Sequence, residues 1–305
     1  MPFPQDGALL SVFYFHTADM TQANCFTVDF EDWYQGIEIP IAQWHSYERR
    51  IEKGFYKVVE LLAKRNAKAT FFTLGWIAEK YPQLVKELDA AGHELGSHSY
   101  SHEKVYHQTE QEFREEIRRT KNIIENLIGK KVVTHRSPFF SITSKCLWAL
   151  QVLAEEGFTI DCSVSPIKTW RYGISTCPDE IFRIKENNLV EFPVSKFSLL
   201  GKNWAIGGAY FRIFPYMFTS KGLHKRLKAD LPSMFYIHPW EYDAEHPRVK
   251  FERKAMLTHY ARLTKTFNNT EKLLNEFTFD TVSNIVKNYE QQNRIRTIGI
   301  DILRD

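Results

Sequence analysis

The chain has 305 residues, 43% of them hydrophobic and 14% aromatic, with a formal net charge of +3 and both signs interspersed. That is enough apolar material for one large α/β domain, and so small and mixed a charge excludes the basic footprint of a nucleic-acid binder. The four cysteines, Cys25, Cys146, Cys162 and Cys177, form no C-x2-C pair, and a chain of this size needs no disulfide framework, so they read as reduced and mostly buried.

In chain order, residues 1–24 carry no motif and read as a leader. The apolar stretch 8–15 is too short to span a bilayer and lacks the flanks of a secretory signal, so a cytoplasmic protein without a transmembrane segment is expected. Cys25-Phe26-Thr27-Val28-Asp29-Phe30 reads as a short buried strand running into Asp29, Glu31 and Asp32. Three carboxylates after an apolar run are costly unless something cationic compensates them. A metal with an adjacent general base would do so.

Apolar spacing predicts a helix over roughly 48–65, a second strand over Lys68–Leu74 and a helix over 76–91 that stops at Gly92. A short third strand, His93–Gly96, leads into His98-Ser99-Tyr100-Ser101-His102. If this segment turns as a helix, the two histidines share a face, and imidazole pairs suit divalent metals. Thr109 and Glu112 form a capping box for a helix over 110–128. Lys131–His135 is the fourth strand and ends in Arg136-Ser137-Pro138-Phe139-Phe140. A helix over 143–156 and a fifth strand, Phe158–Asp161, follow; then come an irregular insert over 165–188 and a sixth strand, Leu189–Val194. Residues 198–220 contain Gly207-Gly208-Ala209-Tyr210-Phe211-Arg212, a segment expected to border a cleft. Met234–His238 is the seventh strand and ends in His238-Pro239-Trp240-Glu241, and helices near 252–276 and 280–290 close the chain.

Strand–helix alternation argues for parallel strands with crossover helices in one α/β domain over 1–305. Asp29, His98, Arg136, Asp161 and His238 all fall at or just past strand ends, which in a β/α barrel converge on one face.

With those residues in place, the chain resembles the polysaccharide deacetylases of carbohydrate esterase family 4, the NodB-homology group. Thr27-Val28-Asp29 with the acids after it resembles the first motif of that family, and His98-Ser99-Tyr100-Ser101-His102 the second. Arg136-Ser137-Pro138-Phe139 resembles the third and Ile237-His238 the fifth, while Asp161-Cys162-Ser163 matches the fourth only in part, lacking the usual Asp-Trp pair. The segments Val-Asp-x-Glu-Asp-Trp, Gly-Gly-x-Tyr-Phe-Arg and His-Pro-Trp-Glu resemble a subgroup encoded in exopolysaccharide loci, including exosortase-associated ones. The resemblance implies a distorted (β/α)7 barrel of NodB type. Its catalytic motifs lie within 25–241, followed by a helical C-terminal extension over 242–305.

It also implies removal of N-acetyl groups from an amino-sugar polymer or oligosaccharide, in association with polysaccharide synthesis machinery. The expected cofactor is a divalent metal, zinc first, with cobalt, nickel or manganese as alternatives. His98 and His102 would bind the metal, Asp29 would be the general base, a backbone N–H near Phe139 would hold the oxyanion, and His238 would be the general acid. Arg136 would hold Asp29, and Asp161 would orient Arg136 or His238. The chain departs from the family at position 30, where Phe30 replaces the usual ligand aspartate. Strand alternation puts Glu31 on the face of Asp29. A turn at Phe30 would present Asp32 instead, and the shorter arm of Asp32 favours it as the third ligand.

Other residues have narrower readings. His93 is read as structural, and His107 and His135 as solvated or satisfied in the core. Glu191 suits a sugar contact or a structural role equally. Trp33, Trp204, Tyr210 and Trp240 are candidate sugar-stacking rings. Two further functions stay open: a metal-independent cyclic-amide hydrolase of allantoinase type on the same barrel, and a catalytically silent carbohydrate-binding protein.

Overall fold

Seven short strands run parallel around the molecule: Asn24–Phe30, Thr70–Thr73, Glu94–Ser97, Thr134–His135, Ile160–Asp161, Val190–Glu191 and Met234–Ile237. The computed structural model describes residues 24–199 and 201–304; the expected leader, up to residue 23, lies outside them. The ladders join the strands in sequence order, and the seventh pairs with the first, Thr27 opposite Tyr236 and Val28 opposite Ile237. The first strand is buried along its whole length, as a strand covered on both faces must be.

The ring is a distorted (β/α)7 barrel. Where the sixth strand should meet the seventh, a side chain stands in for the ladder: the Met234 N–H donates to Ser195 Oγ at 2.8 Å. An antiparallel hairpin, Lys196–Leu199 with Lys202–Ala205, and the bridge from Gly207 to Tyr236 fill this seam. Outside the barrel, Phe182–Ile184 runs antiparallel to the sixth strand and takes Arg296–Ile298 as a parallel neighbour. Phe279–Asp280 pairs with the start of the first strand. The segment after the seventh strand is thus sewn onto the barrel at two places.

Helices α1 (Ile51–Lys64), α2 (Gly75–Lys80), α3 (Pro82–Ala90), α4 (Glu110–Ile128) and α5 (Trp148–Glu155) cover the first five strands. The capping box of α4 is formed as expected, with Thr109 and Glu112 each bonding the other's backbone N–H. The helix expected over 76–91 is two helices. It breaks at Tyr81, since Pro82 has no N–H to continue the first and is favoured at the start of the second. α6 (Gly208–Ile213) and α7 (Tyr216–Lys228) precede the seventh strand. The expected helix over 252–276 is also divided, into α8 (Arg253–His259), a 3-10 turn at Leu263–Lys265 and α9 (Thr266–Glu276); α10 (Val282–Gln291) follows. Among the described residues, no helix is long and apolar enough to cross a membrane.

One packing detail positions the site. A Cβ on Gly54 of α1 would collide with the Pro239 carbonyl. The helix backbone therefore rests directly on the turn that follows His238.

Candidate metal centre and catalytic cleft

The polar residues at the strand ends meet at one end of the barrel. Asp29 and Glu31 end the first strand, His98 and His102 follow the third, Arg136 and Phe139 follow the fourth, and His238 follows the seventh. All but Arg136 line a cavity of ≈ 150 Å³.

The two histidines do not meet on a helix. Residues 98–102 form a loop in which Ser99 (φ +60°) and His102 (φ +57°) adopt the left-handed region, a conformation that costs a non-glycine residue energy. Hydrogen bonds hold the loop there. Gly75 N–H donates to the Ser99 carbonyl at 2.8 Å, and Glu116 of α4 accepts from the N–H groups of Tyr100 (2.8 Å) and Ser101 (2.7 Å).

Glu31, His98 and His102 are all buried, and one donor atom from each lies within 4.8 Å of the other two. His98 Nδ1 bonds to the Arg136 carbonyl at 2.7 Å, which fixes the proton on Nδ1 and leaves Nε2 bare. His102 Nε2 lies 2.5 Å from Glu31 Oε2, yet that oxygen is left without a hydrogen bond. A buried carboxylate oxygen with no hydrogen bond is costly, and an ion among these three donors would satisfy it. Burial raises the Glu31 carboxyl, but the charges of His102, His238 and His98 outweigh it and hold it at about 2. Burial lowers His98 to about 4 against the opposing charge of Asp29. The orphaned Glu31 oxygen and the bare Nε2 of His98, beside His102, are the donors a divalent ion takes, so the residues fit the expected metal.

The expected preference for Asp32 is overturned. Asp32 Oδ1 accepts the Trp33 N–H at 2.8 Å, and Oδ2 accepts those of Arg50 (2.8 Å) and Ile51 (3.1 Å). Asp32 therefore caps the start of α1 and faces away from the histidines. Burial pushes its carboxyl up to about 7 despite these bonds.

Asp29 lies on the other side of the cleft. Arg136 donates to its Oδ1 at 2.6 Å and to Thr27 Oγ1 at 2.9 Å, with its guanidinium 4.2 Å from the centre of the Phe72 ring. His238 Nε2 stands 3.7 Å from Asp29 Oδ2 and 3.9 Å from Glu31 Oε1. Burial lowers the His238 imidazolium, but the Glu241 hydrogen bond and the charges of Glu241, Glu31 and Asp29 raise it above its ordinary value. Phe139 is left-handed (φ +56°), and its ring lies edge-on to His102 with centroids 4.6 Å apart.

Asp161 ends the fifth strand as expected, but the partners of its carboxylate are not Arg136 or His238. Its oxygens accept the Ser163 O–H (2.6 Å) and N–H (3.3 Å), and its cross-strand neighbour is the equally buried Glu191. Burial raises both carboxyls, and the charge of Asp161 raises Glu191 further. The contact expected of Asp161 is made by Glu241, whose Oε1 is 2.6 Å from His238 Nδ1. Trp240 donates Nε1–H to Glu31 Oε1 at 3.2 Å and stacks on His238 with centroids 5.1 Å apart. The motif His238-Pro239-Trp240-Glu241 gives Glu241 no role by sequence alone; its signal is the three-residue spacing from His238.

Of the four candidate stacking rings, Trp240 lines the cleft. Trp33 is buried against His246 and donates Nε1–H to the Glu48 carbonyl, and Trp204 packs with Tyr210 and Phe214. His93 is buried and accepts the Ala69 N–H. His135 lies between Ser97 and Ser137, and His107 is exposed beside Glu103.

Residues 43–159 match the family model for polysaccharide deacetylases, and residues 162–287 match a domain of unknown function, DUF3473. A peptidoglycan-N-acetylglucosamine deacetylase of Bacillus cereus is 38% identical over 96 residues, 31% of this chain and 35% of the relative. A chitooligosaccharide deacetylase of Azorhizobium caulinodans is 29% identical over 97 residues, 32% of this chain and 43% of the relative. The chain thus spans about a third and about two fifths of the length of these curated relatives. A Mycobacterium smegmatis protein provisionally named a polysaccharide deacetylase superposes with a TM-score of 0.64 at 17% identity, covering 90% of this chain and 91% of its own. An allantoinase does so at 0.58 and 16% identity, covering 90% and 92%. Both share the fold.

Proposed function

We propose that the chain is a metal-dependent hydrolase that removes N-acetyl groups from amino sugars of a polysaccharide or its precursor and releases acetate. One observation carries this reading: Glu31, His98 and His102 converge in a cleft that also presents Asp29, held by Arg136, and His238. The match over residues 43–159, which includes both histidines and Arg136, supports the same class, as do the names of the relatives.

Glu31, His98 and His102 would hold the ion, with zinc the best fit to a carboxylate and two imidazoles. Such an ion, when bound, acts as a Lewis acid on the acetyl carbonyl and makes water a better nucleophile. Asp29 takes the proton from the attacking water. Arg136 keeps the Asp29 carboxylate in place through a charge-assisted hydrogen bond. A backbone N–H at Phe139, where the chain is held in the left-handed region, donates to the oxygen that gains charge. His238 protonates the nitrogen as the C–N bond breaks. The products are acetate and a free amine.

The two matched stretches act as one unit in this reading. Their junction falls on the fifth strand, Glu31 precedes both, and His238 lies in the second. We infer further that the substrate belongs to exopolysaccharide assembly, a reading supported by the motif details that resemble the exopolysaccharide-locus subgroup.

The test is acetate release from N-acetylglucosamine oligomers, with allantoin as a parallel substrate. The expected result is acetate release that a chelator abolishes and added zinc restores. Chelator-resistant opening of allantoin without acetate release would overturn the reading in favour of a metal-free ring-amide hydrolase.

A further inference from the structure

We propose that Glu241, backed by Arg212, is the positioning residue for His238, in the place expected of Asp161. The inference rests on the reading of His238 as the acid. Asp161 spends both oxygens on Ser163, beside Glu191. Glu241 is fully buried and spans two partners, with Oε1 2.6 Å from His238 Nδ1 and Oε2 3.1 Å from Arg212 Nε. A carboxylate removed from water needs an opposite charge beside it, and Arg212, itself 3% exposed, supplies one.

The sequence makes this geometry cheap. Pro239–Tyr242 is a single 3-10 turn, in which residues three apart eclipse each other. Glu241 N–H closes the turn on the His238 carbonyl at 3.1 Å, which brings the Glu241 carboxylate to the Nδ1 edge of the His238 ring. Because Glu241 accepts from Nδ1–H, the nitrogen facing Asp29 and Glu31 is Nε2. That nitrogen alone can hand a proton into the cleft. Trp240, stacked on the same ring, fixes its plane.

Arg212 is anchored in turn by the segment after the barrel. Its Nη1 donates to the carbonyls of His259 (2.8 Å) and Ala261 (2.9 Å). His259 also stacks on the far side of the network, its ring 4.1 Å from that of Trp240. The C-terminal segment therefore reaches His238 through one arginine and one carboxylate, and the acid depends on both.

The test compares Glu241→Gln, Glu241→Asp and Asp161→Asn as metal-loaded enzymes on matched N-acetyl and O-acetyl sugars. The amine leaving group needs a proton more than the alkoxide does. Glu241→Gln is expected to keep its metal and KM while kcat on the amide falls about 10- to 100-fold and kcat on the ester falls much less. Glu241→Asp should recover part of the amide rate, and Asp161→Asn should show no such split. A second readout needs no turnover: 15N NMR of His238, at a pH high enough to deprotonate the imidazolium, should show the neutral Nδ1–H tautomer in wild type and a tautomer mixture in Glu241→Gln. Equal losses on amide and ester, a split in Asp161→Asn, or an unchanged His238 tautomer in Glu241→Gln would overturn the proposal. Wild-type protein inert on every N-acetyl sugar would instead remove the reading of the reaction, while the NMR result would still decide whether Glu241 sets the ring.

Discussion

At the scale of single residues, the cleft is an exercise in satisfying buried charge. Asp29, Glu31 and Arg136 are taken from water together, and each has a partner of opposite sign or a histidine beside it. Asp29→Asn keeps the shape and the metal donors but cannot take a proton. We expect unchanged metal content and a loss of about 10²- to 10⁴-fold in kcat, measured as acetate release; turnover within a few-fold of wild type would remove Asp29 as the base. Much of this was legible in the sequence, because Asp29, His98, Arg136 and His238 sit at strand ends whatever the loops do. Alternation also pointed to Glu31. What misled was the short arm of Asp32, whose oxygens are claimed by the N–H groups of Arg50 and Ile51, eighteen and nineteen residues away. No local pattern shows a cap supplied from outside the helix. Asp161 differs from this: Ser163, two residues on, takes both its oxygens, a local turn that strand-end position alone does not reveal.

Elements place these residues, and loops held by distant side chains place them most finely. The loop His98–His102 is left-handed at two positions and is pinned by Glu116 from α4. The sequence offered H-x3-H as one helical face; the observed loop brings the rings together by another route, which depends on contacts that spacing does not encode. Glu116→Ala should free the Tyr100 and Ser101 N–H groups, let the loop relax and weaken metal affinity about 10- to 100-fold, read by competition with a chelator of known affinity. Unchanged affinity would mean that the loop holds itself. The second test at this scale is Gly54→Ala. Its Cβ would strike the Pro239 carbonyl, so α1 must separate from the turn that carries His238 and Glu241. A stability loss of about 1–3 kcal/mol is expected in denaturant melts, with reduced turnover; a neutral substitution would show that this contact does not position the turn.

Across the whole molecule, seven strands in chain order were readable because parallel strands and crossover helices alternate along the sequence. The seam at Ser195 and the late strands Phe279–Asp280 and Arg296–Ile298 were not, since each pairs with residues more than a hundred positions away or fills a gap left by a missing ladder. Burial also sets how the fold responds to acid. Burial lowers His93 from 6.5 to about 4, with the charge of Lys68 adding to it, and lowers His135 well below its ordinary value. A histidine depressed in the folded state gives stability that is full above about 6.5 and is lost as pH falls toward the folded value, because the unfolded chain takes the proton first. For His93 this is on the order of 3 kcal/mol. Tm should fall steadily from pH 6.5 to 4, with proton uptake on unfolding; a flat Tm over that range would contradict the neutral, buried assignment. The central claim, that Glu31 with His98 and His102 makes a metal site which hydrolyses an N-acetyl amide, is tested most directly by metal stoichiometry alongside acetate release in Glu31→Gln and Asp32→Asn. We predict that Glu31→Gln loses both metal and acetate release while Asp32→Asn keeps its metal; full metal in Glu31→Gln, or depletion in Asp32→Asn alone, would contradict it.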